Sequence, residues 1–135
     1  DIVSNRMLGQ HGFLAEIFAV FDDMRISVDM ITTSEVSVTL TLDNPHHMET
    51  LLRRLRSYAD ITVKTNKAMV SVIGTMAHSS ALLEQVFRVL RAQDIAVDMM
   101  SLGASKVNIG FVVDDDTVEQ CVQAIHAAFL EGARV

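Results

Sequence analysis

Residues 13–30, FLAEIFAVFDDMRISVDM, align without a gap on residues 82–99, LLEQVFRVLRAQDIAVDM. Seven of the eighteen positions are identical: Leu14/Leu83, Phe18/Phe87, Val20/Val89, Ile26/Ile95, Val28/Val97, Asp29/Asp98 and Met30/Met99. After a two-residue insertion in the second copy the match resumes, with Val36 and Val38 against Val107 and Ile109, and Asp43 against Asp114. Only two copies fit into 135 residues, so the repeat excludes a solenoid, which needs more and shorter units. It implies two small modules of one design, spanning residues 1–66 and 67–135.

Both copies read alike. In the first, Leu14, Ile17, Phe18, Phe21 and Met24 recur at helical spacing, which predicts a helix over 12–24 with one buried face. ISVDMI then turns through TTSE into VSVTLTLD, where Val36, Val38, Leu40 and Leu42 alternate with Ser37, Thr39 and Thr41. Strict alternation marks a strand with one apolar face. Asn44-Pro45 reads as a helix start, with Asn44 as cap and Pro45 in the first turn. The apolar stripe Met48, Leu51, Leu52, Leu55 follows, then DITVKT, residues 60–65, as a strand. In the second copy the pattern predicts a strand at 68–74, a helix at 79–92, strands at 95–101 and 106–113, and a helix at 115–131. The order strand–helix–strand–strand–helix–strand defines an α+β, ferredoxin-like βαββαβ module with helices on one face of an antiparallel sheet. The second copy stops at Gly132 before its last strand. Either it lacks that strand or the strand lies upstream of Asp1. The second alternative is favoured, because an open sheet edge is a pairing liability, and a chain opening at Asp1 without a methionine reads as excised from a longer one.

Composition removes several function classes. The net charge is −6, and the densest basic cluster, Arg53, Arg54 and Arg56, fits a solvated helix face. Nucleic-acid binding, which rests on counterion release by a basic surface, is disfavoured. An RNA-reading sheet also needs exposed aromatics, and Tyr58 is the single tyrosine. No apolar run approaches the ~20 residues of a membrane span. The single cysteine, Cys121, lies in an apolar helical stripe; a buried, inert thiol in a reducing compartment fits. His46-His47 are adjacent, and His11, His78 and His126 have no metal-ligand spacing with Cys121. The methionines fall mostly at apolar positions and fill core.

RMLGQHGFLAEIF, residues 6–18, opens a helix on two glycines, Gly9 and Gly12. It lacks the spacing and lysine of a P-loop, and no GxGxxG is present. With no catalytic constellation legible, the chain is not read as an enzyme by itself. What remains is a glycine turn whose Gly12, Phe13 and Leu14 amides open a helix and suit a carboxylate. Asp29 suits an ammonium, and Thr32, Thr33, Ser34 and Glu35 crowd the connection beyond it. Together they describe a site for a small zwitterion with one extra cation. The alternative is that Gly12 only permits the turn and Asp29 only ends a strand.

RMLGQHGFLAEIF, ISVDMITTSEVSVTLTLD and SLGASKVNIGFVVDDDTVEQCVQAIH closely resemble the regulatory tail of aspartokinases, a tandem of amino-acid-sensing ACT domains. The resemblance covers residues 1–135, and DIVSNRMLGQHGFL is most similar to the lysine-sensitive monofunctional enzymes of plants and many bacteria. It implies two ACT modules, the first effector-binding and the second structural and lacking its upstream strand, because in this family the first module is inserted into the second. It implies feedback inhibition by lysine, a homodimer through the first modules, and an upstream kinase domain that alone uses ATP and magnesium. No cofactor is expected for this stretch, and the location implied is the cytoplasm or the plastid stroma.

Carried over position by position, Met7 and the Gly12, Phe13 and Leu14 amides are implied to hold the lysine carboxylate and α-amino group. Ser27, Val28 and Asp29 are implied to surround the side-chain ammonium, and Thr33, Ser34 and Glu35 to close the site with help from the partner subunit. The second module keeps Asp98 but has Ala81 where the first has Gly12, so it is expected to bind nothing. The rival readings are a sensor for threonine or S-adenosylmethionine and a ligand-free dimerisation module.

Overall fold

The computed structural model describes residues 1–4, 11–43, 46–74, 79–103 and 107–131. The chain divides into two compact units, Asp1–Lys64 and Thr65–Val135.

The first unit contains β1 (Ile2–Val3), α1 (Phe13–Asp23), β2 (Ile31–Thr33), β3 (Ser37–Leu40), α2 (Met48–Arg56) and β4 (Asp60–Ile61). Its sheet runs β2-β3-β1-β4, with each neighbouring pair antiparallel. β1 and β2 are therefore parallel to each other, and α1 is the crossover between them. The register Ile2↔Val38 and Thr33↔Val38 puts Val38 at the centre of the face that packs on the helices. Ile17, Val20, Phe21, Leu51 and Leu55 complete that core.

The buried face of α1 is Phe13, Ile17, Val20 and Phe21. Leu14, expected in the core, is 41% exposed instead; it lies on the flank of the stripe centred on Ile17. The helix ends in a closure repeated in both units. Arg25 and Asp94 adopt positive φ of 55° and 54°, and the amides of Ile26 and Ile95 donate back to the carbonyls of Phe21 and Leu90 at 3.0 and 2.9 Å. This six-to-one bond is a Schellman motif in which the following isoleucine turns in over the helix end. α2 begins at Met48 behind His47, which has φ 56°. The expected start at Asn44 and Pro45 lies outside the described residues. The strand expected over 60–65 is confined to Asp60–Ile61. One further bond, from the Thr62 amide to the Asp1 carbonyl at 2.9 Å, extends the pairing.

The second unit contains β5 (Lys67–Gly74), α3 (Ser79–Ala92), β6 (Met99–Leu102), β7 (Val107–Asp114) and α4 (Val118–His126). The helix predicted over 115–131 is entered by a 3-10 turn at Asp115–Thr117 and left through a π turn at Ala127–Glu131. The sheet runs β5-β7-β6 and is antiparallel throughout. Among the described residues β5 is paired on one edge only, so the second module has the three strands that its sequence pattern predicts. Val86, Leu90, Ile109, Phe111, Val113 and Cys121 form its centre. Among the described residues no helix is long and apolar enough to cross a membrane.

Candidate functional site

Gly12 enters α1 at φ 87° and ψ −2°, with no side-chain hydrogen bond capping the helix among the described residues. Among the described residues a Cβ built there would meet nothing within 4 Å; the left-handed φ calls for glycine. The first helical bond runs from the Glu16 amide to the Gly12 carbonyl, 3.0 Å. The Phe13, Leu14 and Ala15 amides thus have no acceptor inside the helix, and the positive end of the helix dipole lies with them. Phe13 itself is buried, so only its backbone is available to a ligand, whereas Leu14 offers an exposed apolar side chain.

Thr33, Ser34 and Glu35 form the end of β2 and the turn into β3, and all three are exposed. The Ser34 amide donates to the Ser37 carbonyl at 2.9 Å, and the Ser34 and Ser37 hydroxyls bond to each other at 2.7 Å. The Ser4 amide, just past β1, donates to the Val36 carbonyl at 3.0 Å. Because β2 runs parallel to β1 and α1 returns between them, this turn lies at the end of the sheet from which α1 starts.

Ser27, Val28 and Asp29 lie before β2. Ser27 and Asp29 are exposed and Val28 is half-buried, its side chain packing on the core. The Asp29 amide donates to the Thr41 carbonyl at 3.0 Å, while the Met30 amide donates to Thr41 Oγ1 at 3.0 Å. Thr41 therefore fixes the backbone that carries the Asp29 carboxylate. Asp29 stands four residues before Thr33, about 13 Å along an extended chain. The structure thus gathers the glycine turn and the Thr33–Glu35 turn at one end and sets Asp29 apart along β2. Met7 lies outside the described residues.

The second unit answers with an occupied acid pair. The Lys67 ammonium lies 2.5 Å from Asp98 Oδ2 and bonds to Asp114 Oδ1. These two carboxylate contacts hold the Lys67 ammonium above its usual range, against a smaller opposing effect of burial. This cluster is not legible in the sequence as such, although the repeat matches Asp29/Asp98 and Asp43/Asp114 carry two of its three residues. Cys121 is wholly buried, and burial pushes its thiol up, so it stays protonated and unreactive. Among the described residues no group of three or more His, Cys, Asp or Glu side chains could hold a metal ion.

An ACT domain family matches residues 1–53 and 70–129. Aspartokinase 2, chloroplastic, of Arabidopsis thaliana is 44% identical over 142 residues, covering 97% of this chain and 26% of that protein. The lysine-sensitive aspartokinase 3 of Escherichia coli is 38% identical over 137 residues, covering 95% of this chain and 30% of that protein. Among solved structures, E. coli aspartokinase III in complex with lysine and aspartate, in its T-state, superposes with a TM-score of 0.81 at 36% identity, over 96% of this chain and 30% of that one. The chain thus spans between a quarter and a third of the length of these relatives. Two βαββ-based units built on one repeat, a glycine-entered α1 and matches along nearly the whole chain lead to one assignment: the chain belongs to the ACT domain family, as the regulatory ACT region of an aspartokinase.

Proposed function

We propose that this region senses lysine and transmits feedback inhibition to an aspartate-phosphorylating kinase domain, which holds the ATP and magnesium sites. The observation that carries the reading is the presence in the first unit of two subsites of opposite charge preference, set apart along β2. The uncapped α1 N-terminus behind Gly12 suits a carboxylate, and the exposed Asp29 carboxylate suits a side-chain ammonium. Met7 joins the first subsite, and Ser27 and Val28 border the second. The lysine-bound E. coli structure, similar over almost the whole chain, supports lysine as the ligand.

The separation of Asp29 from the turns supports a homodimer. Two copies meeting antiparallel along their β2 edges bring the Asp29 end of one β2 to the Ser34–Glu35 end of the other. Each site is then closed by Thr33, Ser34 and Glu35 of the partner. Lysine inhibits by preferring one dimer arrangement, since equal affinity for both shifts nothing. Its contact with Asp29 is a charge-assisted hydrogen bond of about 1.5–3 kcal/mol, or about ten- to a hundredfold in affinity. Threonine has no second ammonium and leaves Asp29 without a partner. Calorimetry of Asp29→Ala with lysine tests the assignment: affinity falls by that factor, whereas undiminished affinity removes Asp29 from the site.

A further inference from the structure

The acid pair of the second unit occupies the same place in the repeat as the proposed ammonium subsite of the first. Asp98 corresponds to Asp29, and Asp114 to Asp43. The correspondence extends to the backbone: the Asp98 amide donates to the Val112 carbonyl at 2.9 Å, as the Asp29 amide donates to that of Thr41 at 3.0 Å, and Val112 and Thr41 are repeat-related. Into this pair the second unit inserts its own cation. Lys67, first residue of β5, is the cross-strand partner of Asp114. Its side chain and that of Asp98 are 24% and 28% exposed. An ammonium has three donors and no acceptor, so two carboxylates converging on it satisfy most of its needs and leave little for a competing amine. At the position of Gly12, which precedes α1, the second unit has Ala81, which lies inside α3.

We propose that Lys67 acts as an internal ligand, a tethered primary ammonium that fills the Asp98–Asp114 position and makes the second unit independent of any free amine. The comparison with Asp29 rests on the lysine-sensing reading, but the occupied site and its test do not.

Lys67→Ala deletes the tethered cation and leaves space for a free one. The variant unfolds at a lower temperature than the parent, by a few degrees, when the transition is followed through the β7 amide signals. Millimolar n-propylammonium, which replaces the deleted atoms, restores the midpoint by mass action on the folded state. Tetramethylammonium at equal ionic strength, having no N–H donor, does not, and Lys67→Ala combined with Asp98→Asn is rescued by neither. An unchanged midpoint in Lys67→Ala, or equal recovery with both cations, would overturn the proposal. A readout on the parent chain does not depend on that variant folding. With 15N-labelled lysine, the Lys67 ammonium is protected from solvent exchange and loses protection in Asp98→Asn; a freely exchanging ammonium would equally overturn it. Failure of the first unit to bind lysine leaves every one of these readouts unchanged, so the two proposals fail separately.

Discussion

Gly12 is the residue on which the first unit turns. It is left-handed, and among the described residues nothing lies within 4 Å of an added Cβ, so the cost expected for Gly12→Ala is that of its φ. That conformation costs an L-residue about 1–2 kcal/mol, and the variant is expected to lose about that much stability in denaturant titration. If the chain relieves the strain by reshaping the turn, the Phe13 and Leu14 amides move and lysine affinity falls as well; unchanged stability and affinity would show that the turn does not depend on glycine. The turn was legible because glycine ahead of an apolar helical run has few other uses. The exposure of Leu14 was not, because 3.6-residue periodicity locates a stripe but not its edges. Lys67 was missed for a related reason: Asp98 and Asp114 are sixteen positions apart in sequence, and only the β5–β7 register brings a lysine between them.

At the scale of the elements, apolar packing decides more than charge. α2 carries Arg54 bridged to Asp23 at 2.8 Å, with side chains 38% and 65% exposed, and Leu51, which is 1% exposed. An exposed ion pair contributes about 0–1 kcal/mol, whereas truncating a buried leucine costs about 2–5 kcal/mol. Arg54→Ala is therefore expected to be nearly neutral and Leu51→Ala strongly destabilising in equilibrium unfolding; the reverse order would contradict the assignment of the core. The same balance explains which elements could be read in advance. α3 follows its predicted span, Ser79–Ala92, since amphipathic spacing directly records the buried face. Strand ends followed poorly: DITVKT is apolar-alternating to residue 63, yet past Thr62 no described strand runs beside it, and a strand exists only where a neighbour accepts its hydrogen bonds. The helix closures at Arg25 and Asp94 gave no warning, since neither is the glycine that left-handed termini favour. They were detectable only as a repeat of Ile26 and Ile95.

At the scale of the whole molecule, the repeat made the architecture legible, because each copy must bury its own apolar face and so must form its own sheet and helix pair. It could not reveal how the copies differ in use. On the proposed reading that difference rests on single positions, Gly12 against Ala81, and an exposed Asp29 carboxylate with no ion pair among the described residues against an Asp98 already paired with Lys67. On that reading one unit receives lysine, recognised by its side-chain ammonium, and the other is a scaffold. Calorimetric titration of the chain with lysine and with norleucine tests it most directly, because norleucine keeps the zwitterion and the aliphatic chain but replaces the side-chain ammonium with a methyl group. Lysine is predicted to bind at least about tenfold more tightly, in line with one charge-assisted hydrogen bond. Equal affinity for the two, or no heat with lysine, would contradict it.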